Sequence, residues 1–214
     1  MKKSILLISI FLLAFALFAQ DSPDARKIVD RTYNKYISSE GIRLSFVFTT
    51  LDAEGTEYDS QKGVASIKGD KFHIEMENMD VWFDGKTQWV LMKGIDEVNI
   101  SNPSERELAA ISPLALLGIY KDGYILKAPL SKSINGKRVT QIEMNPVNGN
   151  REYKTISVFI DKSNDRLVQA NFTMNNNMQT KIDITDYNDN YKFSDSTFIF
   201  DKKQFPNVEI VDLR

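Results

Sequence analysis

The residues best suited to chemistry in this chain are few, and their spacing works against it. His73 is the only histidine and there is no cysteine, which excludes Cys/His nucleophile pairs and the usual zinc sites. His73 lies in an alternating run, with Phe72, Ile74 and Met76 on one side and His73, Glu75 and Glu77 on the other. On that polar side a lone histidine is expected to face solvent. Glu75 and Glu77 make a carboxylate pair, but the alternation sends both outward with His73. Asp183, Asp186, Asp189 and Asp195 gather near Asn188 and Asn190, at a spacing that matches no calcium loop. No glycine-rich phosphate loop is present. The pattern therefore predicts no catalytic residue, no metal ligand and no cofactor, and what remains is binding.

The elements that would position a binding surface can be read from the N-terminus. Lys2 and Lys3, an apolar run over residues 5–18 and the small residue Ala19 have the three parts of a secretory signal, so residues 1–19 are expected to be removed, with cleavage after Ala16 as the alternative. Residues 20–214 then form one exported domain. The formal net charge is −2 for the whole chain and becomes more negative once Lys2 and Lys3 are gone. No basic stretch invites nucleic acid or anionic lipid. Ser22, Pro23 and Asp24 begin a helix in which Ala25, Ile28, Val29, Thr32, Tyr36 and Ile37 recur at helical spacing, with Gly41 as its stop.

From Ile42 onward the period is two. Ile42, Leu44, Phe46 and Phe48 alternate with polar residues, and similar runs cover 63–68, 72–77, 81–83, 88–92 and 97–101, then 124–130, 138–145, 153–161, 167–175 and 178–187. Asp84-Gly85, Asn135-Gly136 and Asn148-Gly149 mark turns between them. About ten regularly spaced strands indicate an antiparallel sandwich or barrel with one apolar face and one face toward water. Residues 102–120 interrupt the strands. Ser104, Glu105 and Glu107 open a helix there, Pro113 divides it, and Leu108, Ile111, Leu114, Leu116, Leu117 and Ile119 make it almost wholly apolar. An aromatic and methionine-rich face covered by such a segment suits a flexible apolar ligand. The same residues also suit an ordinary sandwich core, and both readings stand on pattern alone.

A resemblance bears on that choice. Asp84-Gly85-Lys86-Thr87-Gln88-Trp89, Ile111-Ser112-Pro113-Leu114-Ala115-Leu116-Leu117, and Phe198-Ile199-Phe200 followed by Phe205-Pro206-Asn207-Val208-Glu209-Ile210-Val211-Asp212 resemble, in order and spacing, motifs of the LolA family of periplasmic lipoprotein carriers, within the LolA/LolB superfamily. The resemblance covers residues 24–213. It implies a mainly β fold, an incomplete antiparallel β-barrel or half-barrel, with an N-terminal helix and a short helical lid over an apolar cavity. It further implies a monomeric periplasmic carrier that takes lipoproteins from an inner-membrane ATP-driven releasing complex to an outer-membrane acceptor, holding their acyl chains without a cofactor. Strand parity assigns the acyl-chain surface to Phe46, Phe48, Phe72, Ile74, Met76, Trp82, Trp89 and Leu91, with Leu114 and Leu117 on the lid. The family's arginine latch and its adjoining proline are absent. Lys68-Gly69-Asp70-Lys71 stands in their place, which makes Lys68 the candidate latch. The competing expectations are a periplasmic carrier or sensor of free lipids or of envelope stress, and an exported enzyme or interaction sandwich.

Overall fold

The computed structural model describes residues 21–104, 107–108, 118–121, 123–147 and 153–214. Helix α1 (Pro23–Ser38) begins as its residues dictate: the Ser22 side chain accepts a hydrogen bond from the Ala25 amide at 3.3 Å and Pro23 occupies the first turn. It ends at Ser38, three residues before Gly41. Gly41 serves another purpose, because a Cβ there would lie 2.1 Å from the Tyr191 carbonyl oxygen.

Among the described residues thirteen strands follow: β1 (Ile42–Leu51), β2 (Glu57–Lys68), β3 (Lys71–Met76), β4 (Met79–Phe83), β5 (Gln88–Met92), β6 (Glu97–Ser101), β7 (Tyr124–Leu126), β8 (Leu130–Ile134), β9 (Lys137–Pro146), β10 (Tyr153–Asp161), β11 (Leu167–Met174), β12 (Gln179–Asn188) and β13 (Glu209–Asp212). They form one sheet in the order β13-β6-β5-β4-β3-β2-β1-β12-β11-β10-β9-β7, with β8 also on β9. β13 and β7 are unpaired with each other, so the sheet is an open half-barrel. Among the described residues the strands pair antiparallel except β13 on β6, and the isolated Gly41–Asn190 bridge is parallel too. The turn dipeptides do what their chemistry allows. Asp84 Oδ1 accepts from the Lys86 and Thr87 amides while Gly85 sits at φ +100°, and Asn135 and Gly136, both at positive φ, close the β8–β9 hairpin.

The inner face of the half-barrel carries the main core. Ala25, Val29 and Tyr36 of α1 pack with Ile42, Leu44, Phe46, Ala65, Ile67, Phe72, Ile74, Val81 and Phe83 on one flank and Leu126, Ile142, Met144, Ile156 and Val158 on the other. The chain on either side of the 102–120 segment's end is stitched to α1. Arg26 donates to the Tyr120 and Tyr124 carbonyls at 3.3 and 3.2 Å, Tyr120 donates to Asp30, and the Leu126 amide donates to Asp21 at 2.9 Å. Burial and the Asp30 contact push the Tyr120 hydroxyl pKa well up, so it stays a donor.

The outer face does not simply meet water. After β12 the chain makes a 3-10 turn (Asp195–Phe198) beside β3, passes behind β4, β5 and β6 and returns as β13. A second cluster forms there from Trp82, Leu91, Val98, Ile100, Phe200 and Val208, flanked by Trp89 and Phe205. Of the segment 198–212, only Glu209–Asp212 is a strand, and an aromatic strap precedes it. Its rings meet Trp82 edge-on, Phe200 at 5.5 Å and Phe205 at 5.9 Å between centroids. No helix among the described residues is long and apolar enough to cross a membrane.

Candidate binding site

Strand register decides which predicted residues share a surface. Phe46 pairs with Gly63, and Gly63 with Met76; Leu44, Ala65, Ile74, Val81 and Val90 make the adjacent row. Phe46, Phe48, Phe72, Ile74 and Met76 therefore lie together on the inner face, as strand parity predicts. Trp82, Trp89 and Leu91 do not. Ile74 pairs with Val81 and Val81 with Val90, so Val81 and Val90 face inward and the alternation turns Trp82 and Leu91 to the outer cluster. Trp89 packs against that outer cluster too. In β4, Trp82 shares its side with Asp80, and that polar residue is the signal in the sequence that Trp82 faces outward; the two-residue turn that makes Ile74 and Val81 partners gives the same answer.

The five inner residues differ in what they offer. Phe72 and Ile74 are 2% and 6% exposed, and Phe46 is 7% exposed. The tip of the Phe46 ring rests against Gly63, where an added Cβ would come within 2.3 Å of it. These three are core. Phe48 and Met76 remain partly exposed, and the register adds residues absent from the sequence-based set: Met79, Val90, Ile182 and Ile184, all partly exposed and packed against the main core. Phe48 pairs with Ile182, and Phe46 with Ile184. Except for Val90, these lie toward one end of the half-barrel, where the β1–β2, β3–β4, β5–β6 and β11–β12 turns converge. The inner face is thus closed at its base by α1 and apolar but incompletely covered at this mouth. Leu114 and Leu117 lie outside the described residues.

Beside the mouth, a cleft of about 500 Å³ reaches Phe46, Gly63 and Met76, with Val47, Val64 and Glu75 in its walls. By alternation those last three point outward, so the cleft opens through the sheet's outer side. The register shift between Ser45 and Phe46, which makes Thr185 of β12 an extra residue, adjoins it.

Several charged groups elsewhere pair with one another. Lys68 Nζ lies 3.2 Å from Asp195 Oδ1 and donates to the Phe193 carbonyl at 3.3 Å, and Lys71 reaches the same carboxylate at 3.4 Å. Lys68 thus fastens the C-terminal strap, and its bond holds the Asp195 carboxyl pKa below the ordinary range. Asp189 binds Arg166 at 2.9 Å and Lys35 at 3.7 Å, and Asp183 binds Lys181 at 3.0 Å. Among the described residues no three His, Asp or Glu side chains converge as metal ligands. His73 departs from its expected exposure. It is partly buried on the outer face and stacks on Trp82 at 4.7 Å. Burial pushes its pKa down, opposed by Glu75 and Asp80.

An open antiparallel half-barrel with one helix packed on its apolar inner face, and an apolar mouth left partly uncovered, defines the class of this protein. Its sequence matches the family model described as "Outer membrane lipoprotein carrier protein LolA" over residues 15–193, and the chain belongs to that family. No curated protein sequence matches it. Among solved structures it is similar to an uncharacterised conserved protein of Thermus thermophilus (10% identity, 88% of this chain and 99% of that one, TM-score 0.62). It is also similar to a DUF1329 family protein of Desulfovibrio piger (12% identity, 87% and 99%, TM-score 0.51). At such identities the likeness is one of fold.

Proposed function

We propose that the protein is a periplasmic carrier that shelters the acyl chains of lipoproteins and ferries them from the inner to the outer membrane. Family membership supports this reading, and the observation that carries it is the mouth, where Phe48, Met76, Met79, Ile182 and Ile184 are apolar yet incompletely buried. Exposing a sixteen-carbon chain to water costs on the order of 12 kcal/mol at about 0.8 kcal/mol per methylene, so such cargo needs a sheltered path. Methionine and leucine suit a site that must accept chains of varied shape and release them. On this reading, chains enter at the mouth against Phe48 and Met76. The packed residues Phe46, Phe72 and Ile74 form the floor, and Leu114 and Leu117 belong to the cover that loading displaces. The protein acts as a monomer by binding alone, without catalysis or cofactor. It receives cargo from an inner-membrane ATP-driven complex and passes it to an outer-membrane acceptor.

Native mass spectrometry with lipid extraction, on mature protein purified from its own envelope, tests this. A bound acylated lipoprotein is the expected result. Free fatty acid or phospholipid alone would replace the reading with carriage or sensing of free lipids. An empty protein that also takes up no fluorescent lipid would make the inner face a core and nothing more.

A further inference from the structure

Methionine is distributed unevenly in this fold. Five of the six methionines that follow Met1 stand at the mouth: Met76, Met79, Met92, Met174 and Met178. The register sets the first three side by side. Met79 pairs with Met92 across β4 and β5, and the two-residue turn after β3 places Met76 beside Met79. On the other flank, the Met174 amide donates to the Met178 carbonyl at 2.9 Å across the β11–β12 turn. Alternation from the buried Phe172 turns Met174 inward. Met92 is 37% exposed and the other four are partly exposed, whereas Met144, the sixth, is fully buried in the core. With no cysteine in the chain, these thioethers are its accessible oxidisable sulfur.

We propose that this methionine rim is a modification site, at which two-electron oxidation by a hypohalous acid closes the mouth to acyl chains; the inference rests on the acyl-binding reading above. In the reaction with hypochlorous acid the thioether sulfur attacks chlorine, the Cl–O bond breaks, and chloride is then displaced as water supplies the sulfoxide oxygen. One thioether and one hypochlorous acid give one sulfoxide, chloride and a proton. The sulfoxide is strongly polar and must be stripped of water when a hydrocarbon chain covers it, whereas the thioether is soft and apolar. The step is reversible, because a dithiol-dependent sulfoxide reductase removes the oxygen as water and leaves a disulfide on the reductant. An exported carrier would then stop loading under oxidant attack and recover afterwards.

The test titrates the mature protein with cis-parinaric acid before and after near-stoichiometric hypochlorous acid, with peptide mass mapping of each methionine. The expected result is oxygen on the five rim methionines ahead of Met144, and probe affinity about tenfold or more weaker, the scale of an uncompensated buried dipole. Methionine sulfoxide reductase with dithiothreitol should restore the affinity. In a variant carrying M76L, M79L, M92L, M174L and M178L, the ratio of affinities before and after oxidant should approach one, whatever its starting affinity. If that variant does not fold, M76L/M79L/M92L should lose most of the sensitivity. Oxidation of Met144 first, an unchanged affinity after rim oxidation, or equal sensitivity in the leucine variants overturns the proposal. An untreated protein that binds no probe overturns the acyl-binding reading and this inference with it.

Discussion

Replacing Phe200 by alanine separates the two apolar clusters experimentally. Phe200 is 9% exposed, stacks on Phe205 at 5.4 Å and meets Trp82 edge-on at 5.5 Å. Truncating a packed phenylalanine costs about 3–5 kcal/mol in a full core. The cluster here holds only six buried residues at the back of β4–β6, so the loss should fall near the low end, about 3 kcal/mol. With a urea slope of about 2 kcal/mol per molar, the unfolding midpoint drops by about 1.5 M. Trp82 and Trp89 are the only two tryptophans and both belong to this cluster, so their fluorescence reports the transition directly. Because Phe200 is on the opposite face from the mouth, the affinity of the folded variant for an acyl probe should change by less than about twofold, as expected for distant, independent sites. A midpoint shift below about 0.3 M, the scale of an ordinary surface substitution, would refute the view that the strap is an integral second core. A large loss of acyl affinity would refute the separation of the faces.

Other consequences follow from the same geometry. Gly63→Ala forces the Phe46 ring off its seat at no cost in backbone strain, and thermal melting should show a loss of about 1–3 kcal/mol; an unchanged melting temperature would mean the ring is free to move. Phe48→Ser should weaken binding of an acyl probe by about tenfold or more, since a partly exposed phenylalanine gives the ligand apolar area, and equal binding would remove Phe48 from the site. His73 titrates between its ordinary value of about 6.5 and a lower folded value caused first by burial. The unfolded chain then takes up the proton first, so stability from this group is complete above about pH 6.5 and declines as pH falls toward the folded value. Denaturation midpoints at stepped pH should show that decline in the native protein and lose it in His73→Gln, and an identical slope in both would contradict the assignment.

Much of the architecture was legible because it rests on local rules. The Ser22-Pro23 start of α1, the period-two runs and the Asp84-Gly85 and Asn135-Gly136 turns each state their own conformation. The inner placement of Phe46, Phe48, Phe72, Ile74 and Met76 followed from alternation within single strands. What failed was non-local. Leu91 sits in β5, where Trp89, Val90, Leu91 and Met92 are all apolar and composition cannot say which side is which; pairing with β4 fixes it, and in β4 Asp80 marks the side of Trp82 as the outer one. The partial burial of His73 comes with its stacking on Trp82, its partner across β3 and β4, and the alternation of β3 alone holds no trace of it. The meeting of Ile182 and Ile184 with Phe48 and Phe46 depends on β1 pairing with β12, a contact far apart in sequence that no local pattern announces. Lys68 was named only for its place after the second strand, while its partner, Asp195, is set by the route of the C-terminus.

The central claim is that acyl chains enter at the mouth of the inner face. Photo-crosslinking the mature protein to a diazirine-bearing acyl lipid, followed by peptide mass mapping, tests it most directly. The account predicts adducts on peptides containing Phe48, Met76, Met79 and Ile182, suppressed by excess unlabelled lipid. Adducts confined to the Trp89 and Phe200–Phe205 peptides of the outer face, or none that unlabelled lipid competes away, would contradict it.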